Sequence, residues 1–509
     1  MRLDLRPIGY VIGILLTLLG VTMLVPMAVD FSEGRGFVGV FAESALITIL
    51  TGSFLAIACS NGKAEGLDIQ KTILLTTGVW IALPLFGSIP FIIGSTQLSF
   101  VDALFEAVSG VTTTGSTVLS GLESLPKGIL LWRGILQWLG GIGIIVVAMV
   151  FLPELRVGGM QIFRAEAFDT MGKILPRATT ISLQIFVIYL GITIACALSY
   201  VAVGLTAFDA IVHSFTTVST GGFSNYDNSF GNFSGPAEYV AIFFMIMAAL
   251  PFVRYVQLVN GNSRAIFTDT QIKTFLITTL SIAIFVFFVL NSLFPGDWEN
   301  SLRKSLFNIT SIISGTGYSS DNYMKWGGML VSVIFFIGLI GGCAGSTTCS
   351  VKVFRYQLVA SAILLQLRKI RYPHRVVVLK YDGRPVAEDV LHSVMTFFVV
   401  FFLSLGVLAI LLSLTGLDLV TSVSGAVAAL GNIGPGLGDR IGPSSNFMGL
   451  NDAAKCLLII GMLVGRLELM AVYILFTRKF WRNYVNLILF PATYQSGYSV
   501  RHRVNLPQI

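Results

Sequence analysis

Long apolar runs recur along nearly the whole chain. A helix needs roughly 20 apolar residues to cross a hydrocarbon layer about 30 Å thick, and each run has about that length. The pattern therefore predicts ten transmembrane helices. The first run follows Arg2 and Arg6, as in a signal peptide, but the lack of a convincing small-residue cleavage site favours a retained span. The runs lie at 7–29, 37–59, 72–94, 129–152, 181–204, 237–258, 274–294, 328–350, 393–415 and 453–477.

The last eight runs form four pairs, and each pair encloses a short segment of one design. The segment holds a helix too short to cross the membrane, followed by a turn that contains glycine. Such repetition indicates several copies of one supersecondary unit. Each unit crosses twice and returns to its starting side, so all four share one orientation, unlike inverted repeats. The segments read FVDALFEAVSGVTTTGS (100–116), AFDAIVHSFTTVSTGGFS (207–224), SLRKSLFNITSIISGTGYSS (301–320) and LVTSVSGAVAALGNIGPGLG (419–438).

This repetition predicts the fold class and the domain organisation. We expect an all-α integral membrane protein with four parallel span–pore-helix–loop–span repeats, which have pseudo-fourfold symmetry around one pore, plus two extra N-terminal transmembrane helices. The third repeat contains a glycine-rich intramembrane loop. The expected units are 1–70 for the two extra helices, 71–155, 175–262, 272–370 and 390–480 for pore repeats 1 to 4, and 481–509 for a cytoplasmic tail.

The four loops carry chemistry that suits a cation. Irregular backbone at membrane depth survives only inside protein or beside a water-filled path. Rings of backbone carbonyls can replace the water shell of a cation, and the C-terminal end of each short helix adds partial negative charge. One such loop alone would be an ordinary turn, but four in matching positions predict a filter. Its expected residues are Thr113, Thr114, Gly115, Thr220, Gly221, Thr316, Gly317, Asn432, Ile433 and Gly434, with Gly115, Gly221, Gly317 and Gly434 as equivalent glycines.

Three acids in the short helices, Asp102, Glu106 and Asp209, are possible ion ligands. They precede the loop glycines by several residues, and a carboxylate near a helix N-terminus suits the helix dipole. We therefore expect capping and charge at the outer mouth rather than direct coordination.

The eighth run contains GLIGGCAGSTTCS (338–350), which is rich in glycine and small hydroxyl residues. Glycine costs helix stability, by up to about 1 kcal/mol per residue. The composition predicts a broken helix with a loop beneath the filter; close helix packing is the alternative. Arg466 lies within the last run, where a charge normally faces a partner or a wet cavity. We expect it to bind free carbonyls of residues 341–348 as part of a gate, the alternative being a packing arginine bonded to a carboxylate. The expected gate residues are Gly341, Gly342, Gly345, Ser346, Thr347 and Arg466.

Composition supports the membrane class and sets the orientation. The 509 residues are 54% hydrophobic and 12% charged, whereas a soluble domain carries about 25% charged residues. The net charge is +7. Most Lys and Arg residues lie in both tails and in alternate loops, which predicts cytoplasmic N- and C-termini and leaves no need for a nucleic-acid partner. These loops are 60–71, 153–180, 254–273 and 351–392.

Other classes of chemistry find little support. Five cysteines in or beside apolar runs and four scattered histidines show no metal-ligand spacing. The spans contain no arrangement of nucleophile and base, so we expect no enzyme. No GxGxxG follows a soluble strand, so we expect no organic cofactor bound by this chain.

Together these motifs resemble the TrkH branch of the Trk/Ktr/HKT superfamily of potassium transporters. The resemblance covers essentially the whole chain, and the two extra leading spans fit TrkH better than its shorter relatives. The stretches that carry it are SGVTTTGS, LWRGILQWLGGIGIIV, LPELRVGGMQIFRAEAF, TVSTGGFS, ISGTGYSS, ALGNIGPGLG and GRLELM.

The resemblance implies a homodimer in the bacterial inner membrane, with one pore per protomer, potassium as substrate and a TrkA-like cytoplasmic subunit that binds nucleotides. Serine at the first filter glycine accompanies sodium transport in some relatives, so Gly115 points to potassium. The fourth loop departs from the threonine–glycine pattern, which implies weaker discrimination than a symmetric filter gives. We expect potassium uptake driven by the membrane potential, with an alternating-access symporter coupled to H⁺ or Na⁺ as the alternative.

Overall fold

The computed structural model describes residues 4–34, 37–62, 68–147, 159, 178–374 and 378–482. Most of the predicted tail (483–509) and the family-like stretch at 152–168, apart from Gly159, lie outside these residues. One antiparallel hairpin pairs Lys380–Tyr381 with Arg384–Pro385. The α-helices are Arg6–Thr22, Leu24–Glu33, Val38–Ala58, Ile69–Gly87, Ile89–Ile93, Phe100–Val111, Lys127–Val146, Ala178–Ala202, Ala207–Val218, Pro236–Ala249, Phe252–Val259, Arg264–Thr268, Thr270–Leu293, Trp298–Ile313, Gly328–Gly338, Val353–Arg371, Glu388–Leu414, Leu419–Gly431, Asp452–Arg466, Leu469–Tyr473 and Arg478–Arg482.

Within the described residues, 7 helical segments are long and apolar enough to cross a membrane, and two bent helix pairs raise that number to 9. The chain is thus an all-helical, multi-pass membrane protein. The straight segments are Arg6–Glu33, Val38–Ala58, Ile69–Ile93, Lys127–Val146, Ser182–Ala202, Thr270–Leu293 and Glu388–Leu414.

Two predicted spans are not continuous helices. The run 237–258 bends by 89° between Pro236–Ala249 and Phe252–Val259, because Pro251 cannot donate a helical hydrogen bond and pushes Leu250 into an extended conformation. The run 453–477 bends by 109° after Arg466, where Glu468 takes a left-handed φ of 57°. The expectation of straight spans in these two runs is wrong.

The run 328–350 also does not cross as one helix. Its helix ends at Gly338, and residues 339–352, which we call the glycine-rich loop, are irregular. Gly341 and Gly345 have φ values of 77° and 73°, which side chains other than glycine seldom adopt. The broken-helix interpretation is confirmed, and a tenth continuous span is not present in the described residues.

The helix Lys127–Val146 lies at the centre of the molecule. Its apolar window is 72% buried by protein, whereas the other straight segments are between 22% and 39% buried. Gly140 of this helix touches the carbonyl oxygen of Val111, so closely that a β-carbon there would collide with it. This central helix therefore packs directly against the end of the short helix Phe100–Val111.

Candidate functional site: four loops that meet

Four short helices lead to the site, and each begins at a residue that caps its N-terminus. The caps are Ser99, Thr206, Asp297 and Asp418, which accept from backbone N–H groups three residues later at 3.2, 3.1, 3.1 and 3.1 Å. Hydrogen bonds from Thr421 lower the pKa of the Asp418 carboxyl. Such caps satisfy donors that a helix start leaves free. The helices are Phe100–Val111, Ala207–Val218, Trp298–Ile313 and Leu419–Gly431.

Residues 112–116, 219–223, 314–318 and 431–435, here the first to fourth loops, follow these helices. In each of the first three loops, residues with a left-handed backbone alternate with residues that have negative φ. The fourth loop has only one left-handed residue, Asn432, so it differs from the others as the sequence suggested. The left-handed residues and their φ values are Thr113 (55°), Gly115 (86°), Thr220 (51°), Gly222 (76°), Gly315 (75°), Gly317 (80°) and Asn432 (49°).

This pattern corrects one predicted equivalence. Gly115 and Gly317 are left-handed, but in the second loop Gly222 has that conformation and Gly221 does not. The backbone N–H of Gly221 instead donates to the carbonyl five residues earlier, as that of Thr114 does. Gly221 thus stands at the position of Thr114, one residue before the glycine that matches Gly115. The prediction that Gly221 matches Gly115 is wrong by one residue.

The four loops touch one another in chain order and close a ring. A β-carbon on Gly115 would collide with the carbonyl oxygen of Gly221 in the second loop. One on Gly222 would collide with the carbonyl oxygen of Thr316 in the third loop, and one on Gly317 would lie 2.7 Å from the nitrogen of Gly434 in the fourth. One on Gly434 would lie 3.2 Å from the carbonyl oxygen of Gly115. The predicted filter residues are therefore brought together in one place.

Hydroxyl and amide groups join the loops. The Thr112 and Thr114 hydroxyls lie 2.7 Å apart, and those of Ser314 and Thr316 lie 2.8 Å apart. Asn432 Nδ2 donates to Thr114 Oγ1 at 2.9 Å, which links the fourth loop to the first. The Ser116 hydroxyl makes a second link when it donates to the carbonyl of Gly434 at 2.7 Å.

A cavity of about 200 Å³ lies against the ring, on the side of the residues that follow the loops. It is lined by Gly115, Gly222, Gly317 and Gly434, one glycine from each loop. One space is thus shared by all four loops.

A buried ion pair supports the first two loops, and the sequence reasoning missed it. Arg133 Nε lies 2.8 Å from Glu106 Oε1, and neither side chain is more than 2% exposed. Glu106 also accepts from the backbone N–H of Val118 at 2.9 Å, while Arg133 donates to the carbonyl of Ser224 at 2.7 Å. Glu106 is neither a cap nor a charge at the mouth, in contrast to the expectation. Arg133 was detectable as a charge inside the predicted span 129–152.

Asp102 and Asp209 lie in the first turns of their helices, as expected. Asp102 also forms an ion pair with Lys455, at 2.5 Å from Nζ. Asp209 accepts from Asn225 Nδ2 and from the Tyr226 hydroxyl, at 2.8 and 3.0 Å. Both carboxylates are bonded within the protein, at the end of the short helix that is remote from the loops.

The glycine-rich loop packs between the second loop and the break in the span 237–258. The Thr220 hydroxyl donates to Thr347 Oγ1 at 3.1 Å. Thr347 Oγ1 donates in turn to the carbonyl of Ala248 at 3.1 Å. The carbonyl of Gly345 accepts from the N–H of Phe252 at 2.9 Å, beyond the bend. The glycine-rich loop therefore contacts both the ring and a broken helix.

Arg466 reaches the same loop from the last span. Its side chain is 2% exposed, and its Nη1 donates to the carbonyl of Thr347 at 3.3 Å and contacts Cys349 Sγ. Its Nη2 donates to the carbonyl of Gly140 at 3.1 Å, while Nε has no hydrogen-bond partner among the described residues. The carbonyl partner lies within residues 341–348, as the sequence predicted. The remaining predicted gate residues, Gly341, Gly342, Gly345 and Ser346, lie in the same loop.

The chain matches the sequence model of a family described as TrkH, cation transport protein, over residues 39–483. The chain belongs to the TrkH family. A relative in this family, the Trk system potassium uptake protein TrkI of Halomonas elongata, is 39% identical over 94% of this chain and 97% of that protein. The Trk system potassium uptake protein TrkH of Escherichia coli is 34% identical over 94% of this chain and 99% of its own.

The solved structures agree with this assignment. The crystal structure of the potassium transporter TrkH from Vibrio parahaemolyticus superposes with a TM-score of 0.87 and 33% identity, and the match covers 94% of this chain and 100% of that one. TrkH-family members are membrane transport proteins. The chain is therefore a multi-pass transport protein rather than an enzyme.

Proposed function

We propose that this chain takes up potassium across the cytoplasmic membrane of a bacterium, through a selectivity filter formed by the four loops. The observation that carries the proposal is the closed ring in which each loop glycine touches the next loop. Relatives with the same fold and about a third of their residues in common are named potassium uptake proteins. In this proposal four parallel repeats surround one pore, with both chain termini in the cytoplasm.

The chemistry of the ring favours a cation. All four short helices end at the loops, so their partly negative C-termini converge there. Buried oxygens without a hydrogen-bond partner among the described residues include Thr113 Oγ1 and Asn432 Oδ1, which occupy matching positions in the first and fourth loops. A buried polar atom without a partner is costly, and a dehydrated cation at the ring would satisfy both.

The corrected equivalence gives the filter three levels. The first level has a left-handed residue from each loop, the second has residues whose carbonyls approach the neighbouring loop, and the third has the glycines that line the cavity. The levels are Thr113, Thr220, Gly315 and Asn432; Thr114, Gly221, Thr316 and Ile433; and Gly115, Gly222, Gly317 and Gly434.

In the same proposal the glycine-rich loop and Arg466 form the gate. The hydroxyl contact between Thr220 and Thr347 places this loop directly against the ring. The Arg466 guanidinium lies at the carbonyl of Thr347 and brings a positive charge to the path of a cation. Because its Nε lacks a partner, the arginine is incompletely satisfied in this position. These features suit a closed state that can be left at moderate cost.

Replacement of Arg466 by alanine should raise potassium flux several-fold and leave the potassium-to-sodium permeability ratio unchanged. The substitution removes the charge and both carbonyl contacts, but it touches none of the four loops. The measurement is flux into proteoliposomes, together with reversal potentials in mixed salt. Arg466→Lys serves as the matched control, because it keeps the charge but not the forked geometry that reaches Gly140 and Thr347 together. A changed permeability ratio at unchanged flux would contradict the gate assignment.

The proposed assembly is a homodimer with a TrkA-like cytoplasmic subunit that binds nucleotides. The helix Val353–Arg371 starts directly after the glycine-rich loop and carries Arg368, Lys369 and Arg371 in its last turn. A partner bound to this basic end would act on the gate through one continuous helix.

Flux measurements on the purified protein test the function as a whole. In proteoliposomes with an imposed membrane potential, we expect uptake of potassium and rubidium in preference to sodium. Each 100 mV contributes about 2.3 kcal/mol per charge to such uptake. A proton or sodium gradient without a potential should drive none. Uptake that requires such a gradient would instead show the alternating-access symporter.

A further inference from the structure

The second loop departs from the first and third at one position. Thr114 and Thr316 each pair their hydroxyl with one two residues earlier, from Thr112 and Ser314. The second loop has Gly221 in that place. It keeps the matching hydroxyl in Ser219, which donates to the carbonyl of Thr216 at 3.3 Å. Half of the hydroxyl pair is thus present, and the other half is missing.

The side chain of Gln137 occupies the missing space. A β-carbon on Gly221 would collide with the carboxamide of Gln137, whose Nε2 would lie only 2.8 Å away. Gln137 is fully buried and lies on the central helix Lys127–Val146, which belongs to the preceding part of the chain. Glycine is therefore required at 221 by a neighbouring side chain, because the φ of Gly221 itself is not positive.

The carboxamide of Gln137 holds the second loop at two points. Its Nε2 donates to the carbonyl oxygen of Gly221 at 2.6 Å, and its Oε1 accepts from the N–H of Phe223 at 3.0 Å. Arg133, one helical turn earlier, donates to the carbonyl of Ser224 just beyond. The central helix thus bonds three peptide groups of this segment, and one of them is the carbonyl that touches Gly115 in the first loop.

We propose that Gln137 is a positioning residue that sets ion specificity by fixing the Gly221 carbonyl, and that it replaces the loop-internal threonine hydroxyl found in the first and third loops. The inference rests on the proposed filter. It predicts that Gln137 and Gly221 act as a pair. When the carboxamide is absent, the Gly221 carbonyl is free to turn, and the second level of the filter loses one fixed ligand.

The test compares variants in proteoliposomes by reversal potentials in mixed potassium and sodium. Gln137→Met, which keeps the length of the side chain, should lower the permeability ratio by roughly three- to tenfold, in line with the loss of hydrogen bonds to a buried group. Gly221→Thr alone should lower flux by about tenfold or more, because the new side chain collides with Gln137. The double variant Gln137→Ala/Gly221→Thr should regain most of the wild-type ratio, because the introduced hydroxyl can pair with Ser219.

A matched control is Gln257→Met, which removes a buried glutamine that bonds Arg254 rather than a loop. It should alter thermal stability without altering the ratio. An unchanged ratio in Gln137→Met, wild-type flux in Gly221→Thr, or a double variant worse than both single variants would overturn the pairing. Failure of the wild-type protein to prefer potassium would instead refute the proposed filter, so the two failures are distinguishable.

Discussion

Gly115→Ser should lower the potassium-to-sodium permeability ratio by about tenfold, the equivalent of 1.4 kcal/mol. Gly115 has a φ of 86°, and a β-carbon there would collide with the carbonyl oxygen of Gly221. A residue other than glycine in such a conformation costs about 1 to 3 kcal/mol, which displacement of the neighbouring loop can relieve. The displaced carbonyl is one of the proposed ligands, so selectivity should suffer more than folding. The measurement is the reversal potential in mixed salt.

Two matched variants make this prediction specific. Gly222→Ser should have an effect as large as that of Gly115→Ser, because Gly222 has a φ of 76° and abuts the carbonyl of Thr316. Gly434→Ser should be milder, since the φ of Gly434 is not positive and its nearest neighbours would lie 3.2 Å from a β-carbon. Equal effects at Gly115 and Gly434, or none at Gly222, would count against the corrected equivalence of the loops.

Glu106→Ala should destabilise the protein by about 3 to 5 kcal/mol, the usual result when one partner of a buried ion pair is removed. The guanidinium of Arg133 would remain buried, and the Val118 N–H would lose its acceptor. The expected observation is a large fall in the thermal unfolding temperature of the detergent-purified protein, or loss of folded material. The same change removes support from the first and second loops together.

The control for this variant is Glu33→Gln. Glu33 pairs with Lys127 at 2.6 Å, but the two side chains are 27% and 41% exposed. Ion pairs with that exposure contribute about 0 to 1 kcal/mol, so the unfolding temperature should change little. Comparable losses in both variants would show that the Glu106–Arg133 pair has no special role.

The sequence was sufficient to predict where the loops lie and which helices precede them. The short helices could be recognised because each is amphipathic, too short to span and followed by glycine. Arg466 could be matched to carbonyls near 341–348 because its cost in a membrane requires a polar partner. Membership of the TrkH family, expected from the combined motifs, is confirmed.

Other features were hidden for identifiable reasons. The second loop contains two adjacent glycines, and only the hydroxyl positions Ser219 and Ser314 show which of them matches Gly317. Pro251 was a visible signal for one bent span, but nothing local marks Glu468, which stabilises the other bend by its ion pair with Arg355 at 2.6 Å. That contact joins residues 113 positions apart.

Gln137 and Arg133 were also missed, since each is a single polar residue in an apolar run. Their partners lie about 90 residues further along the chain, in a different repeat. Periodicity within one helix identifies its buried face but does not reveal which loop that face supports.

Ion density in a crystal structure of the protein tests the central claim most directly. Crystals grown in rubidium should give anomalous peaks on the line that the four loops surround, next to the carbonyls of Thr114, Gly221, Thr316 and Ile433. Sodium at the same concentration should leave the line weakly occupied. Rubidium bound only elsewhere, with the space between the loops closed by their own side chains, would contradict a shared ion path.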